Sequence, residues 1–532
     1  MTAPDQQHET INALDNESGR MNPEKYSHLA LRLHPSDDVL VALQQLVQGM
    51  PVAEGVSVRG LIPAGHKLAA RAIGANEPVR RYGQIIGFAT RAIQCGEHVH
   101  SHNLAMGSFE RDYAIATEKK SPPPAAGRAQ FMGIVRPDGR AATRNYIGIL
   151  STVNCSATVV RAIADHFRKD IHPEELAPFP NVDGVVAFTH SQGCGLDAHG
   201  EGMALIRRTL GGYARHANFA AVMVIGLGCE TNQIDDLLSS QNLSPGISLK
   251  TMTIQGSGGT ANSVANGVDQ VRQMLPAANA VSRSPVDASH LTVGLQCGGS
   301  DGYSGITANP ALGAAVDTLV AHGGTAILSE TPEIYGAEHL LTRRAVSLAV
   351  GEKLIERVRW WESYCERMKT NMNNNPSAGN KAGGLTTILE KSLGAVAKGG
   401  TTCLADVYGY AEAVRSHGLV FMDTPGYDPV SATGQVAGGA NLICFTTGRG
   451  SAYGCAPSPS LKFSTNSALW QRQSDDIDLN CGAILDGSKT IEELGAEIFA
   501  LMLSTASGST TRSEIHGYGQ NEFVPWQIDA TL

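Results

Sequence analysis

The feature that most constrains this chain is an alternation of short apolar runs with helix-like segments, which begins after residue 130. The runs YIGILSTV, VDGVVAFTH, AAVMVIGLGC, LTVGLQCGG and TAILSE each end in small or polar residues. Segments with helical periodicity, such as SATVVRAIADHFRK and PALGAAVDTLVAHG, lie between them. Buried strands that alternate with helices are typical of a parallel sheet in an α/β protein. We therefore predict α/β domains with parallel sheets for most of the chain.

The first hundred residues show a different pattern. Short strand-like pieces with regular Gly and Pro punctuation predict a small all-β module, and the segment EKKSPPPAAGRA predicts a linker. A chain of 532 residues is too long for one hydrophobic core. The predicted units are a disordered tail (1–27), an all-β module (28–105), a linker (106–130), a first α/β domain (131–380) and a second, Rossmann-like α/β domain (381–532).

Composition excludes several classes of protein. The formal net charge is −9 and no basic run is present, which argues against a nucleic-acid partner. No apolar run reaches the roughly 20 residues of a membrane span. The first 27 residues lack the apolar core of a secretory signal, so we expect a cytoplasmic protein. The ten cysteines form no CxxC pair, and in that compartment they would be free thiols or metal ligands.

Glycine-rich polar segments follow several predicted strands. The segment QCGGSDGYSG comes directly after LTVGL, while THSQGCG, GLGCE and TTGRG follow other strands. The 59 glycines make up about 11% of the chain, against roughly 7% in average proteins. Open α/β sheets bind ligands beyond the carboxyl ends of their strands. We expect these segments to converge on one site.

Four cysteines stand at these strand ends, namely Cys155, Cys194, Cys229 and Cys297. His190 lies four residues before Cys194. Thiolates and imidazole suit iron or zinc, so the group is a candidate metal site. The alternative is that all four thiols are buried and serve as small hydrophobic residues.

Acid–base and anion-binding candidates lie elsewhere in the chain. His66 and Lys67 occupy the turn PAGHKLA, where they would be surface residues or an acid–base pair offered to a cleft. Polar residues that suit carboxylate binding are Arg144, Asn145, Asn380, Lys381 and Arg449. No GxxxxGK[ST] motif and no strand–GxGxxG–helix unit is present, so nucleotide binding has little support.

The motifs GHK, RYGQIIGFA, DGRAATRN, GLGCE, QCGGSDGYSGITANP, NPSAGNKAGG and FTTGRG occur in this order over about residues 28–525. Together they resemble the altronate/galactarate dehydratase family. The resemblance implies an N-terminal SAF-type β-clip module, α/β catalytic domains and dehydration of sugar acids with iron(II) or a similar divalent metal. CGEHVHSHN and PEIYGAEHLL look closer to the altronate dehydratases than to the galactarate dehydratases.

The resemblance leads to a specific expectation, the conversion of D-altronate to 2-keto-3-deoxy-D-gluconate by a homo-oligomer, a dimer. His66 and Lys67 are the acid–base candidates, with His190 as a competitor, and Ser300 and Asp301 join the substrate-binding residues. Fe²⁺ would be held by the four strand-end cysteines. Mn²⁺, an iron–sulfur cluster or an oxygen-ligand site with Asp301 and Glu230 are alternatives. The competing functions are galactarate dehydration, a different lyase reaction of the family, a metal-free isomerase activity and a non-catalytic sugar-acid sensor.

Overall fold

The computed structural model describes residues 29–109, 111–120, 125, 127–246 and 248–528. The predicted tail (1–27) lies outside these residues. Three units follow one another along the chain, an all-β module, a middle α/β domain and a C-terminal α/β domain. None of the helices in these ranges combines the length and the apolar character needed to cross a membrane.

The N-terminal module is built from two small antiparallel sheets. Its strands are β1 (Ala30–Leu31), β2 (Val39–Ala42), β3 (Lys67–Ala69), β4 (Pro78–Arg81), β5 (Gln84–Ala89), β6 (His98–Val99) and β7 (Leu104–Ala105). The sheet orders are β1-β2-β3-β6 and β4-β5-β7. The predicted all-β module is therefore confirmed. Short strands place a large share of its residues in turns, and one of these turns carries His66.

The middle domain contains a parallel four-stranded sheet in the order β11-β10-β12-β13. Its strands are β10 (Tyr146–Ser151), β11 (Gly184–Phe188), β12 (Phe219–Gly226) and β13 (Leu249–Thr253). Its helices are α1 (Ala157–Asp165), α2 (Pro173–Leu176), α3 (Glu201–Ala214), α4 (Ile234–Ser240) and α5 (Thr260–Asn279). β8 (Gln130–Val135), β9 (Ala141–Ala142) and β14 (Ser284–Asp287) form a separate small antiparallel sheet.

The C-terminal domain contains a parallel seven-stranded sheet in the order β17-β18-β16-β15-β19-β20-β21. Its strands are β15 (Thr292–Cys297), β16 (Thr325–Ser329), β17 (Leu404–Tyr408), β18 (Gly418–Met422), β19 (Leu442–Thr447), β20 (Ser460–Ser464) and β21 (Leu479–Asn480). Its helices are α6 (Ala308–Ala321), α7 (His339–Thr342), α8 (Leu348–Arg367), α9 (Ala378–Ala382), α10 (Ile388–Val396), α11 (Asp428–Ala437), α12 (Ser467–Arg472), α13 (Ile491–Ala506) and α14 (Arg512–Ile515).

This sheet confirms the predicted parallel α/β class but corrects the predicted domain boundary. The boundary at residues 380 and 381 is wrong, because β15 and β16 precede it and β17 to β21 follow it in one continuous sheet. Strands β10 to β13 of the middle domain form a sheet of their own, which ends near residue 253. The alternation of strands and helices continues through both domains, so periodicity alone does not show where one sheet stops.

Candidate active site

The candidate site lies where the N-terminal module meets the carboxyl ends of the C-terminal strands. β15 ends at Cys297 and runs into the segment GGSDGYSG. A Cβ on Gly302 would stand 1.9 Å from the carbonyl oxygen of Gly65, in the module. A Cβ on Gly384 would stand 2.4 Å from the same oxygen. Glycine at these two positions therefore allows backbone to pack directly on backbone across the interface.

A buried carboxylate joins the module to the domain. Lys67 Nζ lies 2.8 Å from Glu390 Oε1, and Arg81 also donates to this oxygen. The other oxygen of Glu390 accepts from the amide nitrogen (2.9 Å) and the hydroxyl (2.6 Å) of Thr386. Arg81 also donates to the carbonyl of Gly302 at 2.6 Å. The Lys67, Arg81 and Glu390 side chains are at most 1% exposed, so water contributes little to holding these charges.

Burial and charge set the protonation of this triad. Burial lowers the pKa of Lys67 to about 8, although the nearby Glu390 carboxylate opposes the change. Burial alone would raise the pKa of Glu390, but Lys67 and Arg81 outweigh it and hold that pKa at about 2. Near neutral pH the triad thus carries two positive charges and one negative charge. Lys67 loses its proton far more easily than a lysine in water.

A second buried group, the acid–lysine cluster, consists of Cys297, Glu330, Glu333, Lys391 and Lys398. Lys391 Nζ lies 2.6 Å from Glu333 Oε1 and donates to the Asn375 side chain at 2.8 Å. Lys398 Nζ donates to Cys297 Sγ at 2.9 Å. Every member of the cluster is less than 9% exposed. The members come from β15, from the residues after β16 and from α10 and the turn that follows it.

The protonation of the acid–lysine cluster is unusual. Burial, with a contribution from Glu333, raises the pKa of Glu330. Neither carboxyl oxygen of Glu330 has a hydrogen-bond partner among the described residues, and its backbone has a φ of +71°. Loss of hydration, and then Glu333, raises the pKa of the adjacent Asp428 to about 7. The cluster therefore contains carboxyl groups that can hold a proton at neutral pH.

Ligand atoms of Cys297, Glu330 and Glu333 lie within 4.8 Å of one another, which is close enough to surround a metal ion. The fit to a divalent cation is nevertheless poor. Lys391 and Lys398 already supply positive charge to these atoms, and burial raises the pKa of the Cys297 thiol to about 11. A cation would have to displace two ammonium groups and deprotonate a thiol.

A cleft of about 640 Å³ opens between the module and the domain. It is lined from both sides, with Gln44 and Ala64 from the module and Asp301, Arg449 and Arg472 from the domain. The Arg449 side chain is exposed and has no ion-pair partner among the described residues. An arginine in this setting is a natural holder of a carboxylate.

Asp301 forms the boundary between this cleft and the buried groups. Its carboxylate accepts hydrogen bonds from Thr465 (3.0 Å), Ser304 (3.1 Å) and Asn466 (3.1 Å). Burial raises its pKa, although these donors oppose the change. Asp301 also lines a small inner cavity, whose other walls include Tyr82, Cys297, Ser300, Glu390 and Lys391. The cleft and the inner cavity thus share one wall.

Four imidazoles stack at the module side of the interface. The His66 ring centroid lies 5.1 Å from that of His98 and 5.0 Å from that of His100, and His102 lies 5.4 Å from His98. His66 Nε2 lies 3.2 Å from the carbonyl oxygen of Ala382, which lines the cleft. Burial, against the opposing effect of that carbonyl, lowers the pKa of His66 to about 4. The His66 imidazole is therefore neutral at pH 7, and its Nδ1 lies 3.0 Å from His98 Nε2, so proton exchange at His66 would involve the stacked imidazoles.

The structure brings together much of the predicted site. Around the cleft and the groups behind it lie His66, Lys67, Cys297, Ser300, Asp301, Asn380 and Arg449, while the backbone carbonyl of Lys381 lies 2.9 Å from His100 Nε2. Asn380 contributes indirectly, since its side-chain amide donates to the Ser300 carbonyl at 2.9 Å and thus holds the glycine-rich segment in place.

Two predicted substrate-binding residues have structural roles instead. Arg144 is 3% exposed, forms a two-pronged contact with Glu514 and donates to the carbonyls of Thr505 and Ser509. Asn145 is fully buried, and its side-chain amide donates to two backbone carbonyls. Their hydrogen-bonding groups are used within the fold, which leaves none of them for a substrate.

The predicted four-cysteine metal site is also corrected. Cys297 lies in the acid–lysine cluster, whereas Cys155, Cys194 and Cys229 are exposed at the carboxyl edge of the middle sheet. His190 uses both ring nitrogens, since Nε2 donates to the Ser151 carbonyl at 2.8 Å and Nδ1 accepts from the Gln192 amide. Burial lowers its pKa to about 4, although the Ser151 carbonyl opposes the change. His190 is thus a neutral structural histidine.

The sequence also missed several residues of the site, namely Arg81, Glu330, Glu333, Glu390, Lys391 and Lys398. A signal was present for three of them in the segment ILEKSLGAVAK, where Glu390, Lys391 and Lys398 interrupt an apolar stretch. All residues of α10 are buried, so Glu390 and Lys391 have no polar helix face to occupy, and Lys398 is buried in the turn that follows.

Comparison with known proteins then places the chain in a family. Residues 28–107 match the altronate/galactarate dehydratase SAF domain, and residues 133–279 match the D-galactarate dehydratase/altronate hydrolase second domain. Residues 288–531 match the D-galactarate/altronate dehydratase C-terminal domain. The chain belongs to the altronate/galactarate dehydratase family. The three matched segments agree with the three units of the fold.

Similar proteins support this assignment over nearly the whole chain. Galactarate dehydratase (L-threo-forming) of Escherichia coli (strain K12) is 37% identical over 488 residues, 90% of this chain and 92% of that protein. Altronate dehydratase of Bacillus subtilis (strain 168) is 33% identical over 488 residues, 91% of this chain and 96% of that protein. The altronate dehydratase of E. coli (strain K12) is 34% identical with the same coverage. The prediction of a sugar-acid hydro-lyase is thereby confirmed at the level of the family.

Proposed function

We propose that this enzyme removes water from D-altronate in the cleft between the SAF module and the C-terminal domain, and that it forms 2-keto-3-deoxy-D-gluconate. The observation that carries the proposal is the position of Arg449. It is a cation with no ion-pair partner in the part of the chain that the structure describes, and it lies in a polar cleft that ends at Asp301 and has proton-exchanging groups behind it. Such a cleft suits a ligand with one carboxylate and several hydroxyl groups.

Arg449 would hold the substrate carboxylate through paired hydrogen bonds. Asp301 would accept a hydrogen bond from a substrate hydroxyl. Its carboxylate is already held in a fixed orientation by hydrogen bonds from Thr465 and Asn466. Ser300, on the wall of the inner cavity, would contact the next hydroxyl. These contacts present the carbon beside the carboxylate to the module side of the cleft.

Elimination requires a base that takes the proton from this carbon and an acid that protonates the departing oxygen. The neutral imidazole of His66 is the candidate base. Lys67, whose pKa of about 8 leaves it mostly protonated at pH 7, is the candidate source of positive charge and of the proton. The module therefore contributes groups that the C-terminal domain lacks.

Galactarate is the second candidate substrate, because a galactarate dehydratase is 37% identical to this chain. The charge of the cleft favours altronate. Arg449 and Arg472 are balanced there by Asp301 and Asp486. A substrate with two carboxylates would leave one of them near an acidic side chain, whereas an aldonic acid places a hydroxyl there.

The test is incubation of the enzyme with a panel of aldonic and aldaric acids, with and without iron(II). The 2-keto-acid product is measured by the ultraviolet absorbance of its semicarbazone. A kcat/KM that is highest for D-altronate supports the proposal. A higher kcat/KM for galactarate refutes the assignment of D-altronate as the substrate. Tight binding of a sugar acid without formation of any product would indicate the alternative function, a non-catalytic sugar-acid sensor. Light scattering after size-exclusion chromatography tests the expected homodimer.

A matched pair of variants tests the role of Arg449. Loss of a charge-assisted hydrogen-bond partner costs about 1.5–3 kcal/mol, so Arg449→Leu should raise KM about 10- to 100-fold. Arg168→Leu removes an arginine that contacts Asp170 on the surface of the middle domain and should leave KM unchanged. Equal KM values for the two variants would show that Arg449 does not bind the substrate.

A further inference from the structure

Three of the ten cysteines are exposed, and all three lie on one edge of the middle domain. Cys155, Cys194 and Cys229 follow β10, β11 and β12, which are adjacent strands of the parallel sheet. The other seven are buried or half-buried. Cysteine is among the residue types most often buried in proteins, so three exposed thiols on one sheet edge need an explanation. We name these three residues the thiol edge.

Hydrogen bonds tie the three loops of the thiol edge together. The Asn154 amide, beside Cys155, donates to the Gln192 carbonyl at 3.0 Å. The Asn232 amide donates to the Gly193 carbonyl, beside Cys194, at 3.0 Å. The Asn232 side chain donates to the Thr152 carbonyl at 3.1 Å. Each loop is thus linked to at least one of the others by a hydrogen bond within three residues of its cysteine, which holds the three loops against one another.

Two other metal-binding side chains in these loops, His190 and Glu230, are already used within the fold. His190 uses both ring nitrogens, as described above. The Glu230 carboxylate accepts from the amides of Leu227 (3.1 Å) and Gly228 (2.6 Å) and from the Thr152 hydroxyl (2.7 Å). Thiolate is a soft ligand that selects iron–sulfur clusters, zinc or copper(I). A set of three thiols therefore remains.

The distances between the three sulfur atoms distinguish a site for a single metal ion from a site for a cluster. A tetrahedral ion with sulfur ligands at about 2.3 Å would hold these atoms about 3.8 Å apart. The three sulfur atoms do not all lie within 4.8 Å of one another. In a [4Fe–4S] cluster each thiolate binds a different iron, so the sulfurs stand farther apart than around one ion. The three sulfurs as they stand therefore do not surround one tetrahedral ion.

We propose that the thiol edge binds a [4Fe–4S] cluster through Cys155, Cys194 and Cys229, with the thiols deprotonated on binding. Three cysteines leave one iron of such a cluster without a protein ligand. That iron would be available to an oxygen ligand from solvent or from a small molecule. The iron would then lie in the middle domain, whichever sugar acid is the substrate.

The test is anaerobic reconstitution of the full chain with ferrous iron and sulfide. We expect about four irons and four acid-labile sulfides per chain, a broad visible absorption band and an electron paramagnetic resonance signal after reduction. Cys155→Ala, Cys194→Ala and Cys229→Ala should each lower bound iron and sulfide about tenfold or more. Cys403→Ala, at a half-buried thiol elsewhere, and Cys297→Ala should retain the full content.

Circular dichroism and thermal unfolding of the cluster-free proteins check that each variant folds, and Cys229→Ser gives a near-isosteric second variant. Wild-type protein that binds one iron without sulfide, or binds neither, would overturn the proposal. Retention of the cluster in any thiol-edge variant, or its loss in Cys297→Ala, would also overturn it. Sugar-acid turnover is assayed separately, so that failure to bind the cluster and failure of the dehydratase function are told apart.

Discussion

Replacing Glu390 with glutamine should weaken the contact between the SAF module and the C-terminal domain more than any other single change of similar size. The variant keeps the shape of the side chain but removes the charge between Lys67 and Arg81. The buried triad would then carry two positive charges without a counter-charge. Removal of one partner from a buried ion pair costs about 3–5 kcal/mol. Most domains have only about 5–15 kcal/mol of stability in total.

The pKa of Glu390 gives an independent value for the same energy. Its pKa is about 2 in the folded protein and 4.5 for an unperturbed glutamate. Because the folded value is the lower one, this stabilisation is fully present above pH 4.5 and is lost as the pH falls from 4.5 through 2. A difference of 2.5 pKa units corresponds to about 3 kcal/mol. The free energy obtained from the pKa of Glu390 therefore agrees with the cost of removing one partner from a buried ion pair.

Urea unfolding at pH 7, followed by circular dichroism, measures the effect. We expect Glu390→Gln to lower the free energy of unfolding by about 3–5 kcal/mol and to remove part of the stability change between pH 4.5 and 2. Glu497→Gln is the matched control, since Glu497 pairs with Lys489 at the surface and should lose no more than about 1 kcal/mol. A loss below about 1 kcal/mol for Glu390→Gln, or an unchanged acid transition, would refute the reasoning.

Further predictions concern the module and its contact with the glycine-rich segment. His66→Ala should lower kcat about 10²-fold or more, while His102→Ala, at the exposed end of the imidazole stack, should have little effect on turnover. Because the pKa of His66 is about 4, kcat/KM should stay constant from pH 7 to about 5 and fall at lower pH. A fall in kcat/KM centred near pH 6.5 would exclude His66 as the base. Gly302→Ala places a methyl group against the Gly65 carbonyl and should lower turnover about 10²-fold and expose the linker to trypsin. Gly246→Ala, where a Cβ meets nothing within 4 Å, is its control, and equal digestion rates would contradict the contact.

The sequence predicts well whatever depends on local pattern. The apolar runs and their polar ends gave the parallel sheets, and the QCGGSDGYSG segment does lie at a strand end in the candidate site. It predicts poorly whatever depends on pairing between distant segments. Glu390 lies 323 residues from Lys67, and no feature of either segment identifies the other. The prediction that Arg144 binds the substrate was wrong for the same reason, because its ion-pair partner Glu514 lies 370 residues away.

The buried triad also bears on the order in which the parts of the protein assemble during synthesis. Lys67 and Arg81 leave the ribosome more than 300 residues before Glu390. At about 5–20 residues per second, the module waits about 15–65 s for its counter-charge, with both cations in water meanwhile. The middle domain and the first strands of the C-terminal sheet are made during that interval. Docking of the module is therefore a late step in biogenesis, and a nascent chain stalled before α10 should carry a module that remains undocked and open to protease.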